Sequence, residues 1–571
     1  LKDKKTKEVK TEYKTITTDQ LVLDEPSSFY VETDGTNYHD TRVLGVAIYN
    51  SKGAYFIAKN DIKSFDTTNL KYTYDQKKNI VSLHKYGFKF NPNFDVMIAA
   101  YLTNYNVKDD IAYLANSLGL EMPFIETIYK KNKEMSIAEI STIAISRAKF
   151  IYENQKLFND KLIADDMMSL FNDIETPLIE VLADMEITGI KVDKNILDDM
   201  GLEMKIKMEL LEKDIYNHVG EEFNIASPKQ IGDILFDKLK LPYGKKTKTG
   251  YSTDRDILDR LIKYHPVVSL IIEHRTLSKL YSTYVEGLTN YIKDDSRIHT
   301  IFNQTIARTG RLSSIEPNLQ NIPIRYEYGR LIRKCFVADN NSTIMSSDYS
   351  QIELRILAHM SGVKDFIDAF KHGIDINTKT AMDIFNVPMD LVTKDLRRKA
   401  KAVNFGIIYG ISGYGLSNNL DIDVNEAKTF IDKYLASYPG VKEYMDNVIK
   451  ETYQKGYVTT LLNRKRVIDE MKNTNKMIRS MGERMALNTP IQGTSADIIK
   501  KAMIEIYHEF NARGLKSKML IQVHDELVFS VIDSEKEQVE HIVKDIMENT
   551  YKLDVPLEVE IDYGNNWYEA K

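Results

Sequence analysis

The stretch TIMSSDYSQIELRILAHM, residues 343–360, changes its apolar period half-way along. An apolar run typical of a strand ends at Asp348, and apolar residues at helical spacing begin after Ser350. The sequence therefore predicts a strand-to-helix junction at Asp348. Helical and strand-like segments alternate through most of the chain, so we expect a multidomain α/β fold.

A second pair of acids lies far downstream. The stretch KMLIQVHDELVFSVI, residues 518–532, places Asp525 and Glu526 between two apolar runs, which predicts a β-hairpin with the acids at its turn. Adjacent carboxylates repel each other, and a divalent cation relieves that repulsion because hard cations prefer carboxylate and phosphate oxygens. Each acid alone is also typical of a solvated turn, and spacing does not show that Asp348 and Asp525 meet.

A basic segment, DLRRKAKAVNFGIIYGISGYG (395–415), lies between those acids. Four of its residues recur every fourth position and form one slowly turning helical stripe: Arg397, Lys401, Phe405 and Tyr409. Thr393 and Gly410 are suited to begin and end this helix. Two cations followed by two rings suit a nucleoside triphosphate, although an amphipathic surface helix gives the same pattern.

Length and composition exclude several classes of protein. At roughly 150 residues per domain, 571 residues predict three to four domains. Hydrophobic residues at 43%, with only 13 Pro and 26 Gly, exclude a disordered or collagen-like chain. The net charge of −6 excludes a globally basic nucleic-acid coat, so a nucleic-acid partner would need local basic surfaces.

The cysteine count, the length of the apolar runs and the first residue carry further expectations. The single Cys335 excludes an intrachain disulfide and a cysteine-rich zinc site. No apolar run reaches about 18 residues, so we expect no membrane span. The chain begins at Leu1, from which we expect a processed or truncated product.

Composition also suggests an order of domains. Residues 1–20 are mixed-charge and predict a flexible tail, with order beginning near Leu21. Residues 21–158 combine short β-rich runs, turn signals and helical stretches, as in a small α/β domain. From residue 159 onward, apolar residues at helical spacing predict the long helices of an extended arm.

Five strings, in order, resemble the family A DNA polymerases: TGRLSSIEPNLQNIP (309–323), DYSQIELR (348–355), RRKAKAVNFGIIYG (397–410), NTPIQGTSADIIKKAM (488–503) and QVHDE (522–526). The resemblance is to family members without a 5′ nuclease domain. It implies an RNase H-like 3′–5′ exonuclease-type domain over residues 21–158, followed by a right-hand polymerase domain over 159–571. Within that domain it implies a thumb at 159–300, a palm at 301–370 and 489–571, and fingers at 371–488.

The resemblance further implies a template-directed DNA polymerase that adds deoxynucleotides to a primer 3′ end by two-metal phosphoryl transfer, in replication and repair. Asp348 and Asp525 would hold two Mg²⁺ ions, for which Mn²⁺ can substitute. The Tyr349 carbonyl would complete a metal shell, and Glu526 would assist nearby. The implied partners are primer-template DNA and deoxynucleoside triphosphates, with the enzyme a monomer in the bacterial cytoplasm, associated with the nucleoid.

The remaining implied roles concern the nucleotide and the DNA. Arg325, Arg397 and Lys401 would bind the triphosphate, and Lys401 would also protonate the leaving pyrophosphate. Phe405 and Tyr409 would pack on the new base pair, and Glu353 would block a ribose 2′-hydroxyl. The residues implied to contact DNA are Arg311, Asn318, Gln320, Tyr414, Arg484, Asn488, Gln492 and His524, with Lys246, Lys248 and Lys279 in the thumb, where Lys245–Lys248 forms a basic loop.

Two departures from the family pattern carry predictions. Asn377 stands where the family has a histidine that touches the triphosphate, so we expect weaker nucleotide binding than in typical members. The exonuclease acids read here as Tyr30-Val31-Glu32, or shifted as Glu32-Thr33-Asp34, with Asn79 and Arg147 near the later positions. We therefore expect an exonuclease-like domain without exonuclease activity.

Two rival interpretations remain. A single-subunit RNA polymerase has a similar order of acid, basic helix and acid, but Glu353 argues against ribonucleotides. A silent DNA-binding or structural factor could keep the same fold. Four intact residues argue against this interpretation: Asp348, Asp525, Arg397 and Lys401. A silent relative has no physical need for clustered acids and cations.

Overall fold

The computed structural model describes residues 10–130, 133–242 and 246–571. Near its N-terminus a mixed six-stranded sheet forms from short apolar runs, as the sequence predicts. Its central strands bury nearly every residue, which is why they read as continuous apolar stretches. The spatial order of the strands is Lys14–Thr15, Gly53–Ala58, Val43–Asn50, Ser27–Thr33, Leu70–Thr73 and Phe94–Asp95.

Regular structure begins earlier than predicted. Lys14 and Thr15 pair in parallel with Tyr55 and Phe56 at the edge of the sheet, so the prediction that order starts near Leu21 is wrong for this segment. An edge strand is held by its backbone, and its side chains face solvent. Mixed charge in residues 10–20 was therefore no guide to disorder.

Helices cover this sheet and complete the N-terminal α/β region. The longest, Ile137–Ala164, begins at a capping box formed by Ser136 and Glu139. It packs on the two central strands and runs through the predicted domain boundary at residue 158. The other helices here are Gln76–Ser82, Val96–Leu102, Ala112–Ser117, Ile125–Ile128, Met168–Leu170 and Thr176–Thr188.

A four-stranded sheet lies in the C-terminal half, in the order Lys518–Val523, Glu526–Ile532, Ser342–Tyr349, Val559–Gly564. The predicted hairpin and the predicted strand ending at Asp348 are both confirmed and are neighbours in this sheet. The helices that follow in the same half are Ile352–Ser361, Lys364–Lys371, Ile376–Phe385, Lys394–Ile408, Gly413–Leu420, Val424–Ser437, Pro439–Lys455, Lys476–Ala512 and Lys536–Asn549. In the parts of the chain that the structure describes, none of the helices is long and apolar enough to cross a bilayer.

Two compact units contain these elements. The first includes residues up to Thr188, Ile301–Ile315 and Ser346–Ile561. It contains the six-stranded sheet, most of the four-stranded sheet and two short hairpins, Ile301–Asn303 with Ser313–Ile315 and Tyr457–Thr459 with Lys465–Val467.

The second unit is mainly helical and includes Gly189–Thr300, Glu316–Met345 and Asp562–Lys571. Its apolar core is built by helices whose buried residues recur at helical spacing. The elements are Lys194–Val219, Pro228–Gly232, Arg255–Leu261, Pro266–Leu280 and Glu327–Ile332, with the short strand pairs Ile190–Lys191 with Arg297–Ile298 and Lys246–Thr247 with Gly250–Tyr251.

These units do not follow the predicted thumb and palm boundaries. The C-terminal segment predicted as palm belongs to the second unit because the Trp567 ring lies 4.1 Å from the Arg333 guanidinium and 5.5 Å from the Phe336 ring. Residues 159–188, predicted as thumb, belong to the first unit because buried ion pairs join Glu175 and Glu186 to it. Long-range contacts of this kind leave no mark in local composition.

Candidate active site

The two predicted acids lie on neighbouring chain segments at one end of the four-stranded sheet. The backbone N–H of Tyr349, next to Asp348, donates to the Asp525 carbonyl at 3.0 Å. The hairpin turn is tight, with Val523 paired to Glu526 and His524 at φ +53°. This turn therefore places the Asp525 carboxylate beside the end of the strand that carries Asp348.

The electrostatics around Asp525 favour a cation. Burial and the negative charge of Glu353 raise the pKa of Asp525 to about 6, against the opposing influence of Arg311 and a 3.4 Å hydrogen bond from Ser495. Among the described residues no cage of three or more acidic, histidine or cysteine side chains occurs. Carboxylate oxygens are ligands that Mg²⁺ prefers, and Mg²⁺ commonly takes one or two of them together with water and phosphate oxygens.

Glu526 does not share the position of Asp525. It is buried and accepts a hydrogen bond from the Ser346 hydroxyl at 2.7 Å, and Ser346 lies two residues before Asp348 on the same face of the strand. Glu526 thus supports the strand behind Asp348. The Tyr349 ring is buried, with its hydroxyl on the Met547 carbonyl at 2.6 Å, and the metal role of the Tyr349 carbonyl stays a prediction.

Glu353 contacts two predicted site residues from distant parts of the sequence, Arg311 and Tyr409, and a third, Gln492, contacts Arg311. Its Oε1 accepts from Arg311 at 2.8 Å, and its Oε2 accepts from the Tyr409 hydroxyl at 3.0 Å. With the amide oxygen of Gln492 turned toward Arg311, it accepts from Arg311 Nη1 at 2.8 Å. Burial and Glu353 together raise the pKa of Tyr409 to about 12, so Tyr409 remains a neutral donor.

The basic helix has the predicted limits, Lys394–Ile408. Thr393 accepts from the Leu396 N–H at 3.2 Å, and the helix ends at Tyr409 before Gly410, which has φ +62°. On its open face Lys401 Nζ lies 5.9 Å from the centre of the Phe405 ring.

Arg397, in the same helix, is held by an acid that the sequence analysis missed. Asp375 accepts from Arg397 Nε at 2.8 Å and from Nη2 at 3.1 Å. Both side chains are more than a third exposed, and exposed pairs contribute at most about 1 kcal/mol. A triphosphate could therefore displace Asp375. In the sequence, Asp375 could have been recognised only as the N-cap residue of the helix Ile376–Phe385.

The predicted triphosphate contact of Asn377 stays a prediction, and the structure shows how the side chain is held. Its side chain is buried and accepts a hydrogen bond from Asn404 of the basic helix at 3.0 Å, and Asn404 in turn accepts from Thr380. An uncharged amide suits this buried position, because it satisfies its neighbour without a charge to desolvate. Asn377 therefore anchors the basic helix.

The predicted DNA contacts divide between the two units. In the first unit His524, Tyr414 and Arg484 are exposed, and Arg484 packs beside Gly410, where an added Cβ would lie 3.1 Å from its Cγ. Asn488 is partly buried one helical turn before Gln492. Each lies a few residues along the chain from a residue of the site: Tyr414 from Tyr409, Arg484 and Asn488 from Gln492, and His524 from Asp525.

The second unit carries the other predicted contacts. Lys246 and Lys248 are exposed on the short hairpin, while Lys245 lies outside the described residues. Lys279 lines a cavity of about 890 Å³ together with Arg255, Arg275 and Asn318. Arg325 and Gln320 belong to the same unit, with Arg325 exposed.

Comparison with known proteins places this site in a family. Residues 194–569 match the model for "DNA polymerase family A", and residues 29–153 match "DNA polymerase I, ribonuclease H-like domain". The chain belongs to DNA polymerase family A.

Named relatives agree over nearly the whole chain. It is 46% identical over 573 residues to DNA polymerase I of Bacillus subtilis (strain 168) and 45% identical over 570 residues to DNA polymerase I of Geobacillus stearothermophilus. Each alignment covers 97% of this chain and 65% of the relative, so the chain spans about two thirds of the length of these relatives. The solved POL domain of Pol1 from M. smegmatis, in complex with DNA primer-template and dNTP, matches with TM-score 0.88 and 37% identity over 96% of this chain and 97% of that one.

In this family A polymerase, Arg147 lies near one of the positions where the family has an acid, and it pairs with Glu32 of the exonuclease-like domain. Glu32 is buried, paired with Arg147 at 2.5 Å, and accepts from the Tyr129 hydroxyl at 2.6 Å. Lys78 Nζ donates to the Tyr30 hydroxyl at 3.2 Å. In the alternative alignment, Asp34 is bound by Arg42 at the surface, at 2.7 Å.

Asn79, at another expected acid position, is also satisfied within the domain. It is buried and donates to the Thr73 hydroxyl and the Gln76 amide at 2.8 and 2.9 Å. A buried cation with a single carboxylate already has its charge balanced, and an added Mg²⁺ would meet repulsion from Arg147. At these positions the described residues do not fit a two-metal site.

Proposed function

We propose that this chain is a template-directed DNA polymerase that extends a primer 3′ end with deoxynucleoside triphosphates. The observation that carries the proposal is the backbone contact that holds the segments of Asp348 and Asp525 side by side, with Glu353 bound to Arg311 and to Tyr409 at the end of the basic helix. The names of the relatives support it, as do the DNA primer-template and dNTP with which the matched M. smegmatis domain forms its complex.

Asp348 and Asp525 would hold two Mg²⁺ ions, which when bound activate the primer 3′-hydroxyl and stabilise the departing pyrophosphate. Mn²⁺ has the same preference for oxygen ligands and would substitute. The rest of the chemistry belongs to side chains of the basic helix. Arg397 would leave Asp375 for the triphosphate, and Lys401 would bind the same group and give a proton to the leaving pyrophosphate.

Glu353 would select the sugar. Its two oxygens are already engaged by Arg311 and Tyr409, and its side chain is buried, so it is held in place. A 2′-hydroxyl next to it would meet a filled, rigid position. Phe405 and Tyr409 would pack against the new base pair, and Arg311 and Gln492 would contact its minor-groove edge, where correct pairs present similar acceptors.

Extension of a labelled primer on a recessed template tests this proposal. With Mg²⁺ we expect extension with deoxynucleotides and at least about 100-fold less with ribonucleotides, because the extra 2′-hydroxyl would meet the position that Glu353 fills. Equal use of ribonucleotides would favour the RNA polymerase interpretation. Binding of the primer-template without any extension would favour the silent DNA-binding factor.

We also infer that the protein is a monomer. Sedimentation of the protein bound to its DNA tests this inference.

We further propose that the exonuclease-like domain does not proofread. A mismatched primer incubated with Mg²⁺ and no nucleotides should stay at full length, because Arg147 and Lys78 take the place of metal cations beside Glu32 and Tyr30. The control is the Glu32→Ala variant. Nucleotide release by the wild-type protein that disappears in this variant would contradict the proposal.

A further inference from the structure

The loop of residues 303–311, here called the 303–311 loop, ends at Arg311, the predicted primer-end contact. A short antiparallel pair, Ile301–Asn303 with Ser313–Ile315, closes its base. Arg311 lies two residues before the second of these strands. Its position against Glu353 therefore depends on how firmly the rest of the loop is held.

One side of the loop is bound by the exonuclease-like domain. The Tyr101 hydroxyl donates to the Ala307 carbonyl. In return, Arg308 Nη1 donates to the Tyr101 carbonyl at 3.1 Å, and its Nη2 donates to the Tyr105 carbonyl and the Asn106 amide oxygen, both at 2.7 Å. The guanidinium carbon of Arg308 lies 5.4 Å from the centre of the Tyr101 ring.

The base of the loop is bound to the same domain. Asn303 donates to Asp109 at 3.3 Å, and Lys77 donates to the Phe302 carbonyl. Glu186, which accepts from Lys77, also accepts from the Phe302 N–H at 3.2 Å. These groups are largely buried, where unmade hydrogen bonds are costly, so the contacts resist opening.

Gly310, the residue before Arg311 in the loop, packs against Arg464. Gly310 has φ +87°, and a Cβ added to it would clash with Arg464 Nε. Arg464 cannot yield, because it is buried in an ion-pair cluster with Glu175 and Asp497. The 303–311 loop is thus held both by the exonuclease-like domain and by Arg464, and Arg311 follows directly after Gly310.

We propose that the exonuclease-like domain positions Arg311 for polymerisation, with Tyr101 and Arg308 as the positioning residues. A domain without a fitting metal site would then contribute to the reaction by holding the primer-end contact in register. This inference rests on the proposed polymerase function. Weakening the contact between the domain and the loop should change the discrimination between matched and mismatched primer ends, while the metal-binding acids stay in place.

The test compares Tyr101→Phe and Arg308→Ala with Tyr74→Phe. Tyr74 is a matched control because it is a buried tyrosine of the same domain whose hydroxyl donates to the Lys108 carbonyl, outside the 303–311 loop. Single-turnover extension is measured from matched and mismatched primer ends. We expect Tyr101→Phe to lose about 3-fold and Arg308→Ala about 10-fold in matched extension, with a smaller ratio of matched to mismatched rates, and Tyr74→Phe to stay within about 2-fold.

A double-mutant cycle with Arg311→Ala separates positioning from folding. If Tyr101 and Arg308 act through Arg311, their substitutions should have almost no further effect in the Arg311→Ala background. Effects that add fully there, or an unchanged matched-to-mismatched ratio despite a lower Tm, would overturn the inference.

The same cycle is run on primer-template affinity by fluorescence anisotropy. If the wild-type protein extended no primer at all, the proposed function would fail. The positioning role would still be judged by coupling between Arg308 and Arg311 in DNA affinity. Absence of coupling in both measurements would contradict it.

Discussion

Asp525→Ala should abolish primer extension, with a loss of at least about 10³-fold in rate, while primer-template affinity changes by less than about 3-fold. The Tyr349 to Asp525 backbone hydrogen bond holds the chain segments of Asp348 and Asp525 side by side at one end of the sheet. Removing the Asp525 carboxylate leaves Asp348 alone, and a single carboxylate cannot organise two cations around the reacting phosphate. Single-turnover extension and anisotropy on the same DNA measure the two quantities.

The matched control is Asp533→Ala. Asp533 is an exposed aspartate just beyond the far end of the second hairpin strand, so it tests the same change of residue away from the sheet edge. We expect its extension rate within about 2-fold of wild type, as for most exposed substitutions. An Asp525→Ala variant that retained a tenth of the wild-type rate in Mg²⁺ would refute the assigned role.

Arg464→Met should destabilise the first unit by about 3 to 5 kcal/mol, the range seen when one partner of a buried ion pair is removed. Arg464 is 2% exposed and pairs with Glu175 and with Asp497, the latter at 2.8 Å, and both acids are fully buried. The substitution leaves the charge of Glu175 to be balanced by Lys500, which lies 2.7 Å away. Urea unfolding followed by far-UV circular dichroism measures the change.

Arg513→Met is the control for that measurement. Arg513 caps the same long helix, Lys476–Ala512, and pairs with Glu509 at 2.6 Å with both side chains well exposed. An exposed pair of this kind contributes at most about 1 kcal/mol. Equal destabilisation by Arg464→Met and Arg513→Met would show that the buried cluster contributes nothing special.

The pH dependence of the Arg464 effect has a definite sign. Burial raises the pKa of Glu175, but Lys500 and Arg464 outweigh it and lower the pKa to about 2. Because the pKa of Glu175 is lower in the folded than in the unfolded state, the carboxylate stabilises the fold at pH values above about 4.5. This stabilisation is lost as the pH falls toward 2. The difference between wild type and Arg464→Met should therefore shrink from pH 7 toward pH 3.

Local patterns predicted the individual elements well. The strand before Asp348, the hairpin at Asp525 and the limits of the basic helix follow from apolar periodicity and from capping residues such as Thr393, which act over a few positions. The prediction failed for the edge strand Lys14–Thr15, whose stability lies in backbone pairing with a strand some 40 residues away. The two compact units cut across the predicted thumb and palm ranges, since long-range packing of Trp567 and Glu175 decides which unit each segment joins.

By itself the sequence determined which residue types this protein has for its chemistry: the paired acids, the cationic and aromatic stripe, and the family they indicate. Tertiary structure alone decided their partners. It placed Glu353 between Arg311 and Tyr409, buried Asn377 against Asn404, and set Arg464 behind Gly310. Periodicity and capping are local and can be read along the chain, whereas hydrogen bonds and ion pairs between distant segments depend on how the whole core packs.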